Sequence, residues 1–163
     1  MNEYPPSWIE VALGNLLSFN YGKSLPDRAR SGTGFPVYGS NGIVGYHDIA
    51  LTDGETLIIG RKGSVGEVHF SPGSCFPIDT TYYVDQFHDM PTRYWFYQLK
   101  NLRLSELNKA TAIPGLNRED AYRAKVYLAP LNEQKRIADK LDALLVRVDA
   151  CRDRLKKLFV NVV

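Results

Sequence analysis

A chain of 163 residues is long enough for one domain of ordinary size and an appendage, and 44% hydrophobic beside 23% charged residues supplies a real core. No run approaches the roughly 18 uninterrupted apolar residues of a membrane span, which argues against a membrane partner. The net charge of +2 hides an asymmetry. Residues 1–130 carry 12 Lys/Arg against 13 Asp/Glu, whereas 131–163 carry 8 against 5, so bulk charge alone gives the larger part no nucleic-acid footprint.

Polar, proline-bearing Met1–Pro6 does not read as a signal peptide, and Cys75 and Cys151 lack a Cys-x-x-Cys spacing. Neither a disulfide framework nor a zinc site is expected, and a reducing, cytoplasmic setting is. Farther along, Gly39-Ser-Asn-Gly-Ile-Val-Gly45 and Gly60-Arg-Lys-Gly-Ser-Val-Gly66 share three glycines and a valine at the same offsets. This echo predicts two similar turn-then-strand pieces. β-Branched and aromatic runs bounded by Gly, Pro or Asp predict strands over Thr56–Ile59, Val65–Phe70, Thr81–Val84 and Lys125–Leu128. A helix is predicted from Thr92 to Leu107, capped by Thr92, because Trp95, Phe96, Leu99, Leu102, Leu104 and Leu107 roughly follow helical spacing. A short helix should start at Asn117, with Glu119 and Asp120 in its first turn. Mixed strands with few helices read as α+β, largely β over residues 1–130.

Neither Gly nor Pro occurs after Pro130, so a boundary is placed there and one long helix is predicted over 132–163, with Asn132 as N-cap and Glu133 near the positive end of its dipole. Ile137, Leu141, Leu144, Val148, Cys151, Leu155, Leu158 and Val162 recur at intervals of 4 and 3, a heptad seam. At about 1.5 Å per residue the seam runs roughly 40 Å. It belongs either to an amphipathic helix lying on its own core or to a coiled-coil arm with a partner helix. With Leu141 at an a position, the g positions hold Lys140, Arg147 and Arg154, and the e positions hold no acid. A like copy would set basic flank against basic flank, so the pattern favours a different helix with acidic flanks.

Chemistry is the next question. His47, His69 and His88 show no metal spacing, and neither Gly-x-x-Gly-x-x-Gly run matches the dinucleotide fingerprint, so no cofactor is expected. Cys75 beside His69 could in principle form a nucleophilic pair in a small hydrolase or transferase, but a cysteine flanked by Phe76 reads as core. Binding has more support. Arg61-Lys62-Gly63-Ser64 follows an apolar strand, where glycine lets a ligand approach the backbone and the cations suit phosphate oxygens. Ser40 and Asn41 occupy the echoing turn, and asparagine can grip an adenine edge. A third polar segment supplies Lys109, Thr111, Asn117 and Arg118. On this reading Arg61, Lys62, Lys109 and Arg118 position phosphates or read guanine, and Ser40, Asn41, Ser64, Thr111 and Asn117 face base edges. Each segment alone could be an ordinary hydrophilic turn.

An ordered set of short stretches then carries a resemblance: Pro6-Ser7-Trp8, Tyr38-Gly39-Ser40-Asn41-Gly42-Ile43-Val44-Gly45-Tyr46, Ile59-Gly60-Arg61-Lys62-Gly63-Ser64-Val65-Gly66, Asp79-Thr80-Thr81-Tyr82-Tyr83, Thr111-Ala112-Ile113-Pro114-Gly115-Leu116-Asn117-Arg118, and Val126-Tyr127-Leu128-Ala129-Pro130-Leu131. Spread over nearly the whole chain, it closely resembles the specificity subunit of type I restriction-modification enzymes. The resemblance implies a non-catalytic subunit with a target-recognition domain over 1–130 and a conserved coiled-coil helix over 131–163. Its implied partners are double-stranded DNA, adenine-methyltransferase subunits, motor-nuclease subunits, and a second recognition domain and helix. The departure is length. One recognition domain and one helix are present, so the chain is expected to be a piece of the N-terminal half or a half-length subunit that dimerises, and the basic g positions favour the piece. A protein-interaction adaptor working through its helix without DNA contact is the alternative.

Overall fold

The computed structural model describes residues 4–107 and 115–160, with side chains as far as residue 157. Among the described residues, nine strands and three α-helices make a mixed α+β fold, largely β before Pro130 and helical after it. The strands are β1 (Ile9–Ala12), β2 (Asn20–Tyr21), β3 (Phe35–Gly39), β4 (Gly42–His47), β5 (Thr56–Gly60), β6 (Val68–Ser71), β7 (Phe76–Pro77), β8 (Thr81–Val84) and β9 (Lys125–Leu128). The helices are α1 (Thr92–Asn101), α2 (Arg118–Arg123) and α3 (Leu131–Val160).

Strand β5 reads Thr-Leu-Ile-Ile-Gly and is buried along its whole length, which fits a central position. It pairs antiparallel with β6 and β8, giving a sheet ordered β2-β8-β5-β6. A second sheet, β4-β3-β7, joins the β3–β4 hairpin to β7 in parallel. The outermost pair, β1 with β9, brings residues near both ends of the β-rich part together. Trp95, Leu13, Leu57, Ile59, Leu99 and Leu104 fill the main core, and Leu116 and Ala138 also belong to it. Cys75 lies in a smaller cluster with Tyr38 and Ile58, its Sγ 3.4 Å from the Thr52 hydroxyl. Burial pushes that thiol's pKa up, the opposite of what a nucleophile needs.

Helix α3 combines both expectations drawn from its seam. Its first turns are docked: Gln134 and Ala138 are buried, Ile137 packs on the core, and the Trp8 indole donates to Glu133 at 3.1 Å. Arg93 of α1 grips Asp142 through Nε at 3.0 and 3.3 Å, and Tyr97 also donates to that carboxylate. From Ala143 to Lys157 every residue is exposed. Leu144, Val148, Cys151 and Leu155 line an open apolar groove there, flanked by Arg147 and Arg152. The Leu158 side chain and Val162 lie outside the described residues.

Four local expectations need correction. Helix α3 begins at Leu131 rather than Asn132, because the Pro130 carbonyl already accepts from Glu133 and Gln134, both at 2.9 Å. Thr92 is the first helical residue of α1, and Pro91 occupies the cap position without a side-chain bond. That helix ends at Asn101. Arg103 adopts a left-handed φ of 47°, and Leu104–Leu107 continues as a separate 3-10 turn. Strand β6 starts at Val68 rather than Val65, since Gly63 and Gly66 take φ of 77° and 78° and the chain is still turning there. The two echoing segments therefore differ. The first passes straight into β4, whereas the second completes a longer turn before β6.

Candidate nucleic-acid interface

The Arg61–Ser64 turn is held by its own backbone: Arg61 and Lys62 donate to the Thr80 carbonyl at 2.9 and 3.0 Å, and Gly66 returns a bond to Gly60 at 2.8 Å. A Cβ on Gly60 would lie 1.9 Å from the Ser64 carbonyl oxygen, so only glycine fits at the end of β5. The echoing turn abuts this one. Ser64 N donates to the Ser40 hydroxyl at 3.3 Å, and the His69 ring sits 3.1 Å from the Ser40 carbonyl. Asn41 is left exposed at the hairpin tip.

From the other side comes the segment before α2. Leu116 N donates to the Arg61 carbonyl at 2.9 Å, and Lys62 bridges antiparallel to Gly115. The first two polar segments named from sequence and the described end of the third, from Gly115, thus meet at one place, with Lys62, Asn41 and Asn117 exposed. Lys109 and Thr111 lie outside the described residues.

The sites differ in how free they are. Asn117 caps α2, its Oδ1 accepting from Glu119 N at 2.8 Å and Asp120 N at 3.4 Å, so its carbonyl is already engaged. Ser40 and Ser64 are tied to each other. Both arginines fold back onto aromatic rings: the guanidinium carbons of Arg61 and Arg118 lie 5.4 and 5.2 Å from the centre of Tyr21. Arg61 also donates to the Asp79 carbonyl, and Arg118 to that of Phe19 at 3.5 Å. Glu119 stands 3.8 Å from Arg118. Tyr82 packs edge-on to Tyr21, with ring centres 5.1 Å apart, and gives its hydroxyl hydrogen to the Leu116 carbonyl. Burial first, then its bond to Tyr21, pushes the Tyr82 phenol up to about 12 despite the two arginines, so it stays protonated near neutrality.

Tyr21 is the residue that sequence reasoning missed. It sits on the two-residue strand β2, too short to show alternation, and 52% of its surface is exposed. Among the described residues no group of three or more His, Cys, Asp or Glu side chains could hold a metal ion, and no helix is long and apolar enough to cross a membrane.

Comparison with known proteins gives this geometry its context. The chain is 27% identical over 141 residues to the type I restriction enzyme EcoprrI specificity subunit of Escherichia coli, matching 81% of this chain and 35% of the relative. It is 24% identical over 155 residues to the EcoDI specificity subunit of the same organism, matching 94% of this chain and 35% of the relative. It thus spans about a third of these relatives' length. A solved S subunit of a type I restriction-modification system from M. genitalium superposes with a TM-score of 0.76 at 19% identity, over 92% of this chain and 41% of that one. The HsdS subunit of Thermoanaerobacter tengcongensis superposes at 0.68 with 24% identity, over 91% and 40%. A profile described as the type I restriction modification DNA specificity domain matches residues 5–158, and the chain belongs to that family.

Proposed function

We propose that the chain is the sequence-recognising, non-catalytic part of a type I restriction-modification specificity subunit. It reads one half of a bipartite DNA site and directs methyltransferase and nuclease subunits to it. The observation carrying this reading is the meeting of three polar segments, bearing Asn41, Lys62, Asn117 and two arginines, in a member of a DNA specificity family. Phosphate contacts from cations fix register, and exposed amides and cations beside them can reach base edges. The groove along Leu144, Val148, Cys151 and Leu155 supports a second role, pairing α3 with another helix whose acidic flanks complement Arg147 and Arg152. Joining two recognition units in this way would raise the affinity of a near-neutral domain through effective concentration.

Mapping methylated bases in a host carrying the intact system would give the target. The chain, co-purified with its methyltransferase, should then bind that duplex more tightly than a scrambled one. Equal binding to both would refute sequence reading by this chain, and binding to neither, with wild-type pairing through α3, would instead favour an adaptor without DNA contact.

A further inference from the structure

We propose that Tyr21, Arg61 and Arg118 form one phosphate-holding unit, with Tyr21 as the positioning residue that aims both guanidiniums at a single phosphodiester. This rests on the DNA-recognition reading and narrows it. The two arginines come from segments 57 residues apart in sequence, yet both guanidiniums lie against the same exposed ring. Each is tethered by one bond to a backbone carbonyl, and each Nε–H is buried without a hydrogen-bond acceptor among the described residues, although the Glu119 carboxylate stands 3.8 Å from that of Arg118. A guanidinium carries five N–H donors, so several on each remain for a ligand. Folded back and tethered, these side chains lack the reach of an arginine extended into a groove to grip guanine. Sharing the Tyr21 ring, with Tyr82 also 5.9 Å from Arg61 and Tyr122 5.8 Å from Arg118, they are suited to an oxyanion that accepts from both at the protein surface. The ring contributes by removing side-chain freedom before binding, so less ordering is left to oppose association.

A phosphate contact is blind to sequence, so the test needs no knowledge of the target. The full chain is titrated into labelled random-sequence duplex over a range of salt, followed by fluorescence anisotropy, and each variant's fold is checked by circular dichroism. Arg61→Gln and Arg118→Gln should each weaken binding about fivefold or more and lower the salt slope, and the double variant should lower it by no more than roughly 0.9, the contribution of one neutralised phosphate. Tyr21→Ala should weaken binding to random duplex as the arginine variants do, and Tyr21→Phe, which keeps the ring but loses its bond to Tyr82, should recover most of that loss. Adding Arg61→Gln to Tyr21→Ala should cost less than the two separate losses combined, because both act through one contact. Should Arg61→Gln fail to fold, Arg118→Gln, on a different segment, decides. Parental affinity and slope in the folded arginine variants would overturn the proposal while leaving DNA recognition standing. So would a Tyr21→Phe loss equal to that of Tyr21→Ala. Absence of DNA binding by the parent chain, alone and with its methyltransferase, would remove both.

Discussion

Replacing Asp142 by asparagine should loosen the root of α3 in a way that pH can identify. The carboxylate accepts from Arg93 Nε at 3.0 and 3.3 Å and from Tyr97. The Arg93 and Asp142 side chains are 33% and 36% exposed, between a surface pair and a buried one. Exposed pairs contribute about 0.2–1 kcal/mol, and hydrogen bonds to charged groups about 1.5–3 kcal/mol. Solvent screening therefore places this one near 1 kcal/mol, or roughly half a molar in a urea midpoint. The Arg93 bonds hold the Asp142 carboxyl below its ordinary value of 3.8. Its stabilisation is then complete above the unfolded-state value and is lost as pH falls through the depressed folded one. Urea unfolding followed by circular dichroism should show a deficit for Asp142→Asn at neutral pH that vanishes in acid, where the parental carboxyl is itself protonated. A deficit of equal size in acid would refute an electrostatic anchor and leave only lost shape. Arg93→Ala should cost more, because the guanidinium also lies 4.8 Å from the centre of Phe70 and 5.0 Å from that of Phe96.

Leu144→Asp, at an exposed position of the arm, should leave the unfolding midpoint nearly unchanged yet abolish co-purification with a partner helix, since pairing would bury an uncompensated carboxylate. Asn117→Ala should lose about 1 kcal/mol through the missing cap, and Asn117→Ser should recover most of it; DNA affinity that follows this recovery would show the residue acting through α2. Gly60→Ala should destabilise the chain by about 1–3 kcal/mol in thermal unfolding, its methyl meeting the Ser64 carbonyl. In a thiol titration of the native chain exposed Cys151 should react promptly, while buried Cys75 should react only on unfolding.

Legibility followed the range of the interactions. Strand β8 over Thr81–Val84 and β9 over Lys125–Leu128 match their sequence reading because apolar runs and punctuating residues specify them locally. So does the cap at Asn117. Strands β1 and β3 went unread, since β1 is only four residues long, Pro36 interrupts β3, and pairing with distant partners decides both, whereas β4 follows the first echoing turn as a turn-then-strand piece should. The end of α1 did leave a trace: Leu102 and Leu104 are two apart, off helical period, and the chain breaks there so that Leu104 can enter the core beside Gly66. For the candidate interface, glycines and charges marked the turns. That these turns touch was not written in any one of them, nor was the role of Tyr21, which depends on two arginines from remote segments. The seam of α3 was plain, but the point where docking ends and exposure begins depends on Arg93 and Tyr97, contributed by another helix.

The antiparallel pair β1–β9 makes the point of entry into the β-rich part also its point of exit, at the foot of α3. Everything from Leu13 to Ala124 is consequently a loop closed by a four-residue clasp, with Trp8 and Glu133 buttoned together just outside it. A body whose chain enters and leaves at one neck can be exchanged without re-routing the chain, as with domains inserted at adjacent termini, provided its replacement also meets α3 where Arg93, Tyr97 and the core around Ala138 hold it. Selection, or an engineer, could therefore replace the entire reading surface and keep Ile9–Ala12, Lys125–Leu128 and α3 as a fixed mount. Chimaeras should be spliced in those two strands, where the register Ile9 opposite Leu128 to Ala12 opposite Lys125 defines a seam that any sequence of like pattern can rejoin.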